Sequence, residues 1–385
     1  MTIKDIARLS GYGIGTVSRV LNNHSDVSDK ARKKIMGVIE ESNFQPNSNA
    51  RQLKRQAASS LSIIVKGNQN MLFADILEKM QMLLSKNGEI AEVSYIDEDA
   101  NEVECALMLC RERNPKGIIF LGGNLDYFDE FEGIDVPCIL VTNSAGSLNI
   151  SNLSSFYTDD EAAAYKVGSY FIKKGHKKIG VVGGILSATQ ISSLRYAGCI
   201  RSFQENNIPF DEKKGYVQCR FSMEDGYQAM KKLLKNMPDV TAVIALSDTI
   251  AVGAMRAICD AGKKVPDDIS VIGFDGISLS NYCIPRLTTI KQDTEKMARE
   301  GVELMLRQIH YPDEGRDVSI PFKLLERESV KNIYEIDIMM LLDFAYITDN
   351  VSRHIAGACR YCYSVKIITA YNSFIFQKCK RRKIF

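Results

Sequence analysis

The chain contains 385 residues, of which 45% are apolar and 25% charged, and its formal net charge is +2. This composition is typical of a soluble globular protein, and the length allows two or three domains. The sequence has no run of about 18 apolar residues and begins without the apolar segment of a signal peptide, so we expect a cytoplasmic protein with no membrane span. The ten cysteines follow no framework spacing, which favours free thiols.

Residues 2–10 predict a short amphipathic helix. Its buried face is expected from four apolar side chains, Ile3, Ile6, Ala7 and Leu9. Thr2 and Asp5 have the spacing of a capping box at the start of this helix. Gly11 and Gly13 then supply the backbone freedom that a tight turn requires.

Residues 14–21 predict a second short helix. We expect its buried side to carry Val17, Val20 and Leu21, and its outward side to carry Thr16, Ser18 and Arg19. Two helices with a glycine turn occur in many helical proteins, but here they coincide with a concentration of positive charge. Residues 1–55 carry ten lysines and arginines against five acids, a net charge of +5, so the rest of the chain sums to −3. Both features are typical of a helix-turn-helix motif whose second helix enters the DNA major groove.

The two helices resemble the DNA-binding signature of the lactose-repressor/galactose-repressor (LacI/GalR) family of bacterial transcription regulators. Three later segments agree with the family pattern: residues 28–32, which open a third helix ending near Ser42, residues 44–47, and residues 49–53, which resemble the family's hinge helix. The resemblance extends to about Lys331. It implies a repressor that binds a pseudo-palindromic operator in double-stranded DNA as a homodimer and responds to a small ligand.

The resemblance also implies a set of DNA contacts from the head, Thr2, Ile14, Gly15, Thr16, Ser18, Arg19 and Asn22. Arg19 is placed to read a guanine, or alternatively to contact a phosphate, and Thr16 and Ser18 are assigned to phosphates. Two glycines depart from the family pattern. Gly13 replaces the usual serine or threonine cap, and Gly15 offers no side chain at a position that commonly reads a base. Base reading is therefore expected to depend on Arg19 and on the hinge.

Residues 47–54 are too short to form a stable helix alone, so we expect them to fold only on DNA and in a dimer. The expected contacts to DNA in this segment are Asn47, Ala50, Arg51, Leu53 and Lys54. Leu53 is interpreted as an apolar wedge in a central base step of the minor groove. The alternative is that Leu53 packs against the partner chain or the core.

From residue 61 onward, strand-like apolar runs alternate with helical segments in two successive sets. Strands are expected at residues 61–65, 118–121, 139–141, 179–182, 243–246 and 270–274, and helices near residues 73–84, 162–174, 196–206 and 250–261. Alternation of this kind predicts parallel sheets with helices on both faces. The resemblance implies a periplasmic-binding-protein-like core, with the chain crossing between two lobes near residues 158, 288 and 320.

The predicted organisation is therefore an α/β protein with a three-helix head, a hinge helix and a two-lobe core of doubly wound parallel sheets. The head is assigned residues 1–45, the hinge and linker residues 46–60, and the core residues 61–331. Within the core, lobe 1 is assigned residues 61–157 and 290–320, and lobe 2 residues 158–289 and 321–331.

Residues 332–385 lie beyond the resemblance and change abruptly in composition. They are rich in Ile, Tyr, Phe and Cys, which favours an irregular extension or the product of a frameshift or read-through. They contain no leucine heptad that would predict a coiled coil. Four possible zinc ligands have only a weak spacing, so no metal site is expected from His354, Cys359, Cys362 and Cys379.

Five core residues match the family's ligand positions: Arg195, Phe221, Ser247, Asp248 and Asp275. Asn70 and Phe73 are expected at the ligand as well, because they lie in the strand-to-helix loop of the first lobe that faces the cleft. Arg195 is expected just before a helix, and Asp275 at the carboxyl end of a buried strand. Arginine donates to hydroxyls, carboxylates accept from them, and aromatic faces cover a ring, so this set favours a sugar as the ligand. The alternatives are a nucleobase, an amino acid or a phosphorylated metabolite, and a purely structural role for an Arg–Asp pair between the lobes and for Phe221.

Two other classes of protein are less consistent with the sequence. A sugar-binding transport protein shares the core but needs a signal peptide and has no basic head. An enzyme is disfavoured because the chain has no Walker loop, nucleophile elbow, dinucleotide fingerprint or metal-ligand helix. We therefore expect no catalytic residues and no cofactor.

Overall fold

The computed structural model describes residues 2–21, 27–42, 60–187 and 191–333. The described head and core residues within 1–172 and 177–331 belong to one compact unit. The hinge helix expected at residues 47–54 and nearly all of the C-terminal extension lie outside the described residues. Within the described part, no helix is both long enough and apolar enough to cross a membrane.

The N-terminal head contains three helices, α1 (Ile3–Ser10), α2 (Ile14–Leu21) and α3 (Asp29–Glu41). Gly11 ends α1 with a φ of 74°, a left-handed conformation that glycine adopts without a steric penalty. The helices enclose a small apolar core formed by Ile6, Ala7, Val17, Val20 and Ile35. The two predicted helices and their glycine turn are therefore present in the structure.

Hydrogen bonds from side chains define where two of these helices begin. The carboxylate of Asp5 accepts hydrogen bonds of 2.9 Å from both the backbone nitrogen and the hydroxyl of Thr2, at the start of α1. At the start of α3, the hydroxyl of Ser28 accepts a hydrogen bond of 3.4 Å from the backbone nitrogen of Ala31. Such caps satisfy backbone groups that have no partner inside the helix.

The prediction that Leu9 belongs to the buried face of α1 is wrong, because its side chain is 52% exposed. Successive residues of a helix are separated by about 100°, which places Ser10 close to Ile6 and turns Leu9 away from both. Ser10 is fully buried in its place, and its hydroxyl donates to the carbonyl of Ala7 at 3.3 Å. Leu21, also expected on a buried face, is only partly buried.

The described part of the core contains twelve strands: β1 (Leu61–Lys66), β2 (Ala91–Ile96), β3 (Ile118–Leu121), β4 (Cys138–Thr142), β5 (Leu153–Tyr157), β6 (Ile179–Gly183), β7 (Tyr216–Gln218), β8 (Ala242–Ala245), β9 (Ser270–Asp275), β10 (Thr288–Lys291), β11 (Asp317–Ser319) and β12 (Lys323–Leu325). They form two six-stranded sheets with the orders β11-β5-β4-β3-β1-β2 in lobe 1 and β12-β10-β9-β8-β6-β7 in lobe 2. All neighbouring strands run parallel except β10 and β12.

The helices of the core connect these strands: α4 (Met71–Lys86), α5 (Glu102–Arg113), α6 (Asp160–Lys173), α7 (Ile191–Glu205), α8 (Glu212–Gly215), α9 (Met223–Asn236), α10 (Asp248–Asp260) and α11 (Thr294–His310). In lobe 1, apolar residues of α4 and α11 cover one face of the sheet, and those of α5 cover the other. In lobe 2, α9 and α10 cover one face, and α6 and α7 cover the other. Both sheets are therefore covered on both faces, as predicted.

The chain crosses between the lobes three times, once between β5 and α6, once between β10 and α11, and once between β11 and β12. The second crossing lies at residues 292–293 rather than near residue 288. The reason is that β10 pairs with β9 and β12 and so still belongs to lobe 2. The expected start of the second part of lobe 1, at residue 290, is therefore two or three residues too early.

Each sheet has a strand order in which the direction of winding reverses next to its first strand, β1 in lobe 1 and β6 in lobe 2. In open α/β sheets, ligands bind outside the carboxyl ends of the strands at such reversal points. The loops that follow the strands of both lobes are therefore the expected place for a ligand.

Candidate functional site

A cavity of about 350 Å³ lies between the two lobes. Most of its lining residues lie at or just after the carboxyl ends of strands. Lys66 and Asp275 end β1 and β9, the segment 67–70 follows β1, Asp97 and Glu98 follow β2, Gly122 and Gly123 follow β3, Asn143 follows β4, and Arg220 and Phe221 follow β7. Small-molecule sites usually measure about 300–1,000 Å³. The cavity therefore has the size and the position in the fold that a small metabolite requires.

The wall formed by lobe 2 contains a buried arginine between two carboxylates. Arg195 Nε donates to Asp160 Oδ1 at 2.7 Å, and Arg195 Nη2 lies 3.4 Å from Asp275 Oδ1. Nη1 donates to the carbonyl of Leu246, and the guanidinium lies 3.7 Å from the centre of the Phe274 ring. These contacts fix the guanidinium plane at the edge of the cavity, where Arg195 and Asp275 are both lining residues.

Two expectations about Arg195 are corrected by this geometry. The residue lies inside α7, which begins at Ile191, because the helix starts about one turn earlier than its apolar pattern indicates. The Arg195–Asp275 pair also does not join the lobes, since both residues and Asp160 belong to lobe 2. The pair therefore shapes one wall of the cavity and does not bridge it.

Asp275 differs from the other carboxylate of this wall, Asp160, in its backbone conformation. It is the last residue of β9 and has a φ of 113°, a conformation that side chains other than glycine rarely adopt. Gln292 Nε2 donates to its Oδ1 at 2.8 Å. Burial raises the pKa of Asp275 to about 6, and the neighbouring Arg195 opposes this rise. A hydroxyl donated by a ligand would stabilise the ionised form.

Two phenylalanines expected at the ligand, Phe73 and Phe221, are both lining residues of the cavity, one from each lobe. Each depends on a glycine at a strand end. A Cβ at Gly122 would lie 2.6 Å from the Phe73 ring, and a Cβ at Gly184 would lie 2.8 Å from the Phe221 ring. The glycines therefore give the two rings room at the cavity wall.

Asn70 is also a lining residue, and it caps α4 by accepting a hydrogen bond of 3.0 Å from the backbone nitrogen of Leu72. Ser247 and Asp248, by contrast, are not among the lining residues. The Ser247 hydroxyl caps α10 by accepting from the nitrogen of Ile250 at 3.1 Å. We conclude that the local role of Ser247 as a helix cap keeps its side chain out of the cavity.

Asp248 is fully buried beneath the cavity wall and joins three segments of lobe 2. Its carboxylate accepts hydrogen bonds from the hydroxyl of Thr289 in β10, at 2.5 Å, and from the backbone nitrogen of Ile277, at 2.9 Å. Burial raises its pKa well above the usual value, and the nearby Asp275 adds to this rise. The position of Asp248 in the structure is therefore that of a support for the loop after Asp275.

The charged residues at the mouth of the cavity are not predicted by the sequence patterns. Arg220 Nη2 donates to Asp97 Oδ1 at 2.5 Å and lies 3.4 Å from Asp99 Oδ2, and Arg220 Nε lies 3.7 Å from Glu98 Oε2. Partial burial raises the pKa of Glu98. The only sequence signal for this cluster was the run of three acids at residues 97–99, because its arginine lies more than 120 residues further along the chain.

The described part of the head places most of its expected DNA contacts on accessible positions. Arg19, Gly15 and Thr2 are exposed, Ile14 is 46% exposed, and Thr16 and Ser18 are partly buried. A Cβ at Gly13 or Gly15 would meet no atom within 4 Å. The remaining expected contacts lie outside the described residues: Asn22, Asn47, Ala50, Arg51, Leu53 and Lys54.

Comparisons with known proteins agree with both parts of this architecture. Residues 2–47 match the model of bacterial regulatory proteins of the lacI family, and residues 169–330 match that of a periplasmic binding protein-like domain. The HTH-type transcriptional regulator MalR of Clostridium butyricum is 37% identical over 337 residues, which cover 86% of this chain and 100% of MalR.

Two solved structures are similar over most of the same region. The lac repressor dimer bound to operator and the anti-inducer ONPF is 26% identical, with a TM-score of 0.60, over 86% of this chain and 99% of that one. A LacI family transcriptional regulator from Enterococcus faecium with bound ribose is 25% identical, with a TM-score of 0.61, over 71% of this chain and 100% of that one. The chain therefore belongs to the LacI family of bacterial regulatory proteins and is a DNA-binding transcriptional regulator.

Proposed function

We propose that this regulator is a repressor whose affinity for its operator is controlled by a sugar bound between the two lobes. The observation that carries the proposal is that Arg195 and Asp275 line the same cavity as two aromatic rings, Phe73 and Phe221. Arginine N–H groups donate to sugar hydroxyls, a carboxylate accepts from them, and aromatic faces cover the apolar side of a sugar ring. The E. faecium relative with bound ribose supports the same ligand class.

The charges of the cavity favour a neutral ligand over an anionic one. Each of the three cations among the lining residues already pairs with a carboxylate: Lys66 with Glu102, Arg195 with Asp160, and Arg220 with Asp97. A phosphate or carboxylate on the ligand would compete with these pairs and would meet Glu98 and Asp225 as well. Desolvating an anion without an unshared cation is unfavourable.

A non-sugar metabolite that acts as a co-repressor is the second candidate. The observation that favours it is the pair of phenylalanine rings on opposite lobes, since a flat heteroaromatic ring can stack on such faces. The hydroxyl groups of a sugar distinguish the two candidates, because only they require both the donor Arg195 and the acceptor Asp275.

On the DNA side, we propose that α2 lies in the major groove and that Arg19 reads a guanine there. One head reads only one half-site, so a pseudo-palindromic operator requires a homodimer. The hinge segment 47–54 is proposed to fold on the operator, with Leu53 as the wedge in the minor groove. A protein with this role acts on the bacterial chromosome and hence in the cytoplasm.

A ligand changes operator affinity only if it binds two arrangements of the lobes with different affinities. We propose that closure of the cleft shifts the segments that lead to the paired heads of the dimer. Coupling between two sites of this type typically amounts to about 1–3 kcal/mol. Because this coupling is reciprocal, operator DNA must change the affinity for the ligand by the same factor by which the ligand changes the affinity for the operator.

Isothermal titration calorimetry with matched sugars tests the ligand class. Ribose, maltose, cellobiose and glucose are compared with glucose 6-phosphate, glucuronate and hypoxanthine, using the full chain and an Asp275→Asn variant. We expect a neutral sugar to bind the unmodified chain and to bind the variant with an affinity at least tenfold lower. Binding of hypoxanthine alone would favour the second candidate, and binding of an anionic sugar alone would contradict the charge argument.

A further inference from the structure

The mouth of the cavity is spanned by an ion-pair cluster whose members come from both lobes. Its acidic half is the run Asp97, Glu98 and Asp99, which follows β2 in lobe 1, and its basic half is Arg220, which follows β7 in lobe 2. The guanidinium lies within 2.5–3.7 Å of a carboxylate oxygen from each of the three acids.

A backbone contact reinforces the cluster. The nitrogen of Phe221, the residue after Arg220, donates to Glu98 Oε2 at 3.3 Å. Glu98 therefore contacts lobe 2 through both the Arg220 side chain and the backbone of the aromatic residue that lines the cavity. The acidic run and the backbone at Arg220 and Phe221 cannot separate without breaking these contacts.

The two halves occupy equivalent places in the two lobes. β2 and β7 are each the edge strand next to the first strand of their sheet, β1 and β6 respectively. Because parallel strands present their carboxyl ends to the cleft in both lobes, the loops after the two edge strands meet across its mouth. Asp97, Glu98 and Arg220 accordingly all line the cavity.

The ion pairs of this cluster are weak enough to break and re-form, as a contact that opens and closes requires. Arg220 is 49% exposed, and single ion pairs at that exposure contribute little to stability. Three carboxylates around one guanidinium form a network, in which removal of the single positive charge leaves like charges facing one another. Loss of Arg220 therefore removes an attraction between the lobes and leaves a repulsion within the acidic run.

We propose that Arg220 and the carboxylates of Asp97, Glu98 and Asp99 form an electrostatic latch that holds the two lobes together across the mouth of the cleft. When the latch is closed, it covers the site and slows escape of a bound molecule. When it opens, the lobes separate by rotation at the three crossings. Its coupling to the effector rests on the proposed function, whereas the latch itself does not.

The test measures the distance between the lobes in the full chain without any ligand. Spin labels are introduced as non-natural side chains, since ten cysteines preclude specific thiol labelling. Met108 in α5 and Gln228 in α9 are suitable positions, because both are exposed and each lies in the second turn of the helix that follows its half of the latch. Pulsed electron paramagnetic resonance then gives the distance distribution.

Arg220→Gln and Asp97→Asn are compared with the control Arg201→Gln. Arg201 is 46% exposed and pairs with Glu161, so it matches Arg220 in exposure but joins two helices of the same lobe. We expect both latch variants to shift the distribution to longer distances and the control to leave it unchanged. Raising the salt to 1 M, where the Debye length is about 3 Å, should shift the unmodified chain in the same direction but not Arg220→Gln.

An unchanged distance in Arg220→Gln, or an equal shift in Arg201→Gln, would overturn the latch. Circular dichroism of each variant checks that the fold is retained. A second measurement adds ribose, maltose or cellobiose, and a sugar that binds should leave Arg220→Gln at least fivefold faster than it leaves the unmodified chain. If no sugar binds, the proposed ligand class fails, but the distances without ligand still decide on the latch.

Discussion

Gln292 holds Asp275 from two directions: its side-chain amide donates to Asp275 Oδ1 at 2.8 Å, and its backbone nitrogen donates to the Asp275 carbonyl at 3.1 Å. Gln292 is fully buried and lies in the second crossing between the lobes. Two residues later, the hydroxyl of Thr294 donates to Asp75 in α4 of lobe 1 at 2.6 Å. The carboxylate at the cavity is therefore connected to lobe 1 through a short chain of hydrogen bonds.

The affinity for a hydroxyl-bearing ligand should fall as the pH is lowered through about 6. Burial raises the pKa of Asp275 to about 6, so the free protein loses the accepting carboxylate below that pH. If the ligand binds only the ionised form of Asp275, its affinity follows the ionised fraction, which is about tenfold lower at pH 5 than at pH 7. Calorimetry across this range measures the effect. In Asp275→Asn the profile should be flat, and a flat profile in the unmodified chain would contradict the assignment.

Gln292→Glu should weaken ligand binding and move the midpoint of that pH profile upward. The change replaces a donor with an acidic group beside Asp275, and a nearby negative charge raises the pKa of a carboxyl group. Gln204→Glu is the matched control, because Gln204 is exposed on α7. If the midpoint stays in place in Gln292→Glu while affinity falls, Gln292 acts only on local packing and the connection to Asp275 is not electrostatic.

Gly15→Ala should stabilise the head. Gly15 is the second residue of α2, and a new Cβ would meet no atom within 4 Å. In the middle of a helix alanine is favoured over glycine by about 0.5–1 kcal/mol, which sets the upper limit for this first-turn position. Slower amide hydrogen exchange in α2 measures the effect. Gly11→Ala provides the contrast, since the φ of 74° at Gly11 makes any side chain unfavourable there. Equal protection in both variants would contradict the helical geometry of the head.

Arg19→Ala should reduce discrimination between operator and unrelated DNA by about 1–3 kcal/mol, the usual value for an arginine that binds a guanine through two hydrogen bonds. Fluorescence anisotropy at two salt concentrations measures both affinities. If Arg19 contacts a phosphate instead, Arg19→Ala should weaken binding to both DNAs by the same factor. It should also reduce the slope of log K against log salt concentration by about one. That second pattern would assign Arg19 to positioning and leave base reading to other residues.

A chain truncated after Lys331 should fold and bind DNA like the full chain. The family pattern ends there, and Val330 already packs against an apolar cluster of lobe 2. The composition of residues 332–385 favours an irregular extension or the product of a frameshift or read-through. Thermal unfolding and operator binding of the two forms are the relevant measurements. A loss of either in the truncated chain would show that the extension has a role.

Sequence patterns predicted the buried strands well and the edge strands poorly. β3 and β4 are continuous apolar runs, fully buried between two layers of helices, and such runs are visible in a sequence. β2 lies at the edge of its sheet, and its side chains are mostly half-buried, so its residues do not form an apolar run. β5 contains two buried serines, Ser154 and Ser155, which interrupt its apolar pattern.

The cavity residues divide in the same way. Asp275 and Asn70 were found because each follows a strand that is evident in the sequence, and Arg195 and Phe221 because they match a family pattern. Ser247 was placed in the cavity by the same pattern, but a serine before a helix has a competing use as a cap. The Arg220–Asp97 pair joins residues 123 positions apart, so only the fold brings the two charges together.

The most direct test of the central claim is fluorescence anisotropy on DNA from the region upstream of the protein's own gene, with and without the sugar panel, for the unmodified chain and Asp275→Asn. We expect tight, salt-dependent binding that one neutral sugar changes by a factor of about 5–150, and no change with that sugar in the variant. Operator binding that no ligand alters, or an equal response in both forms, would contradict control through this cleft.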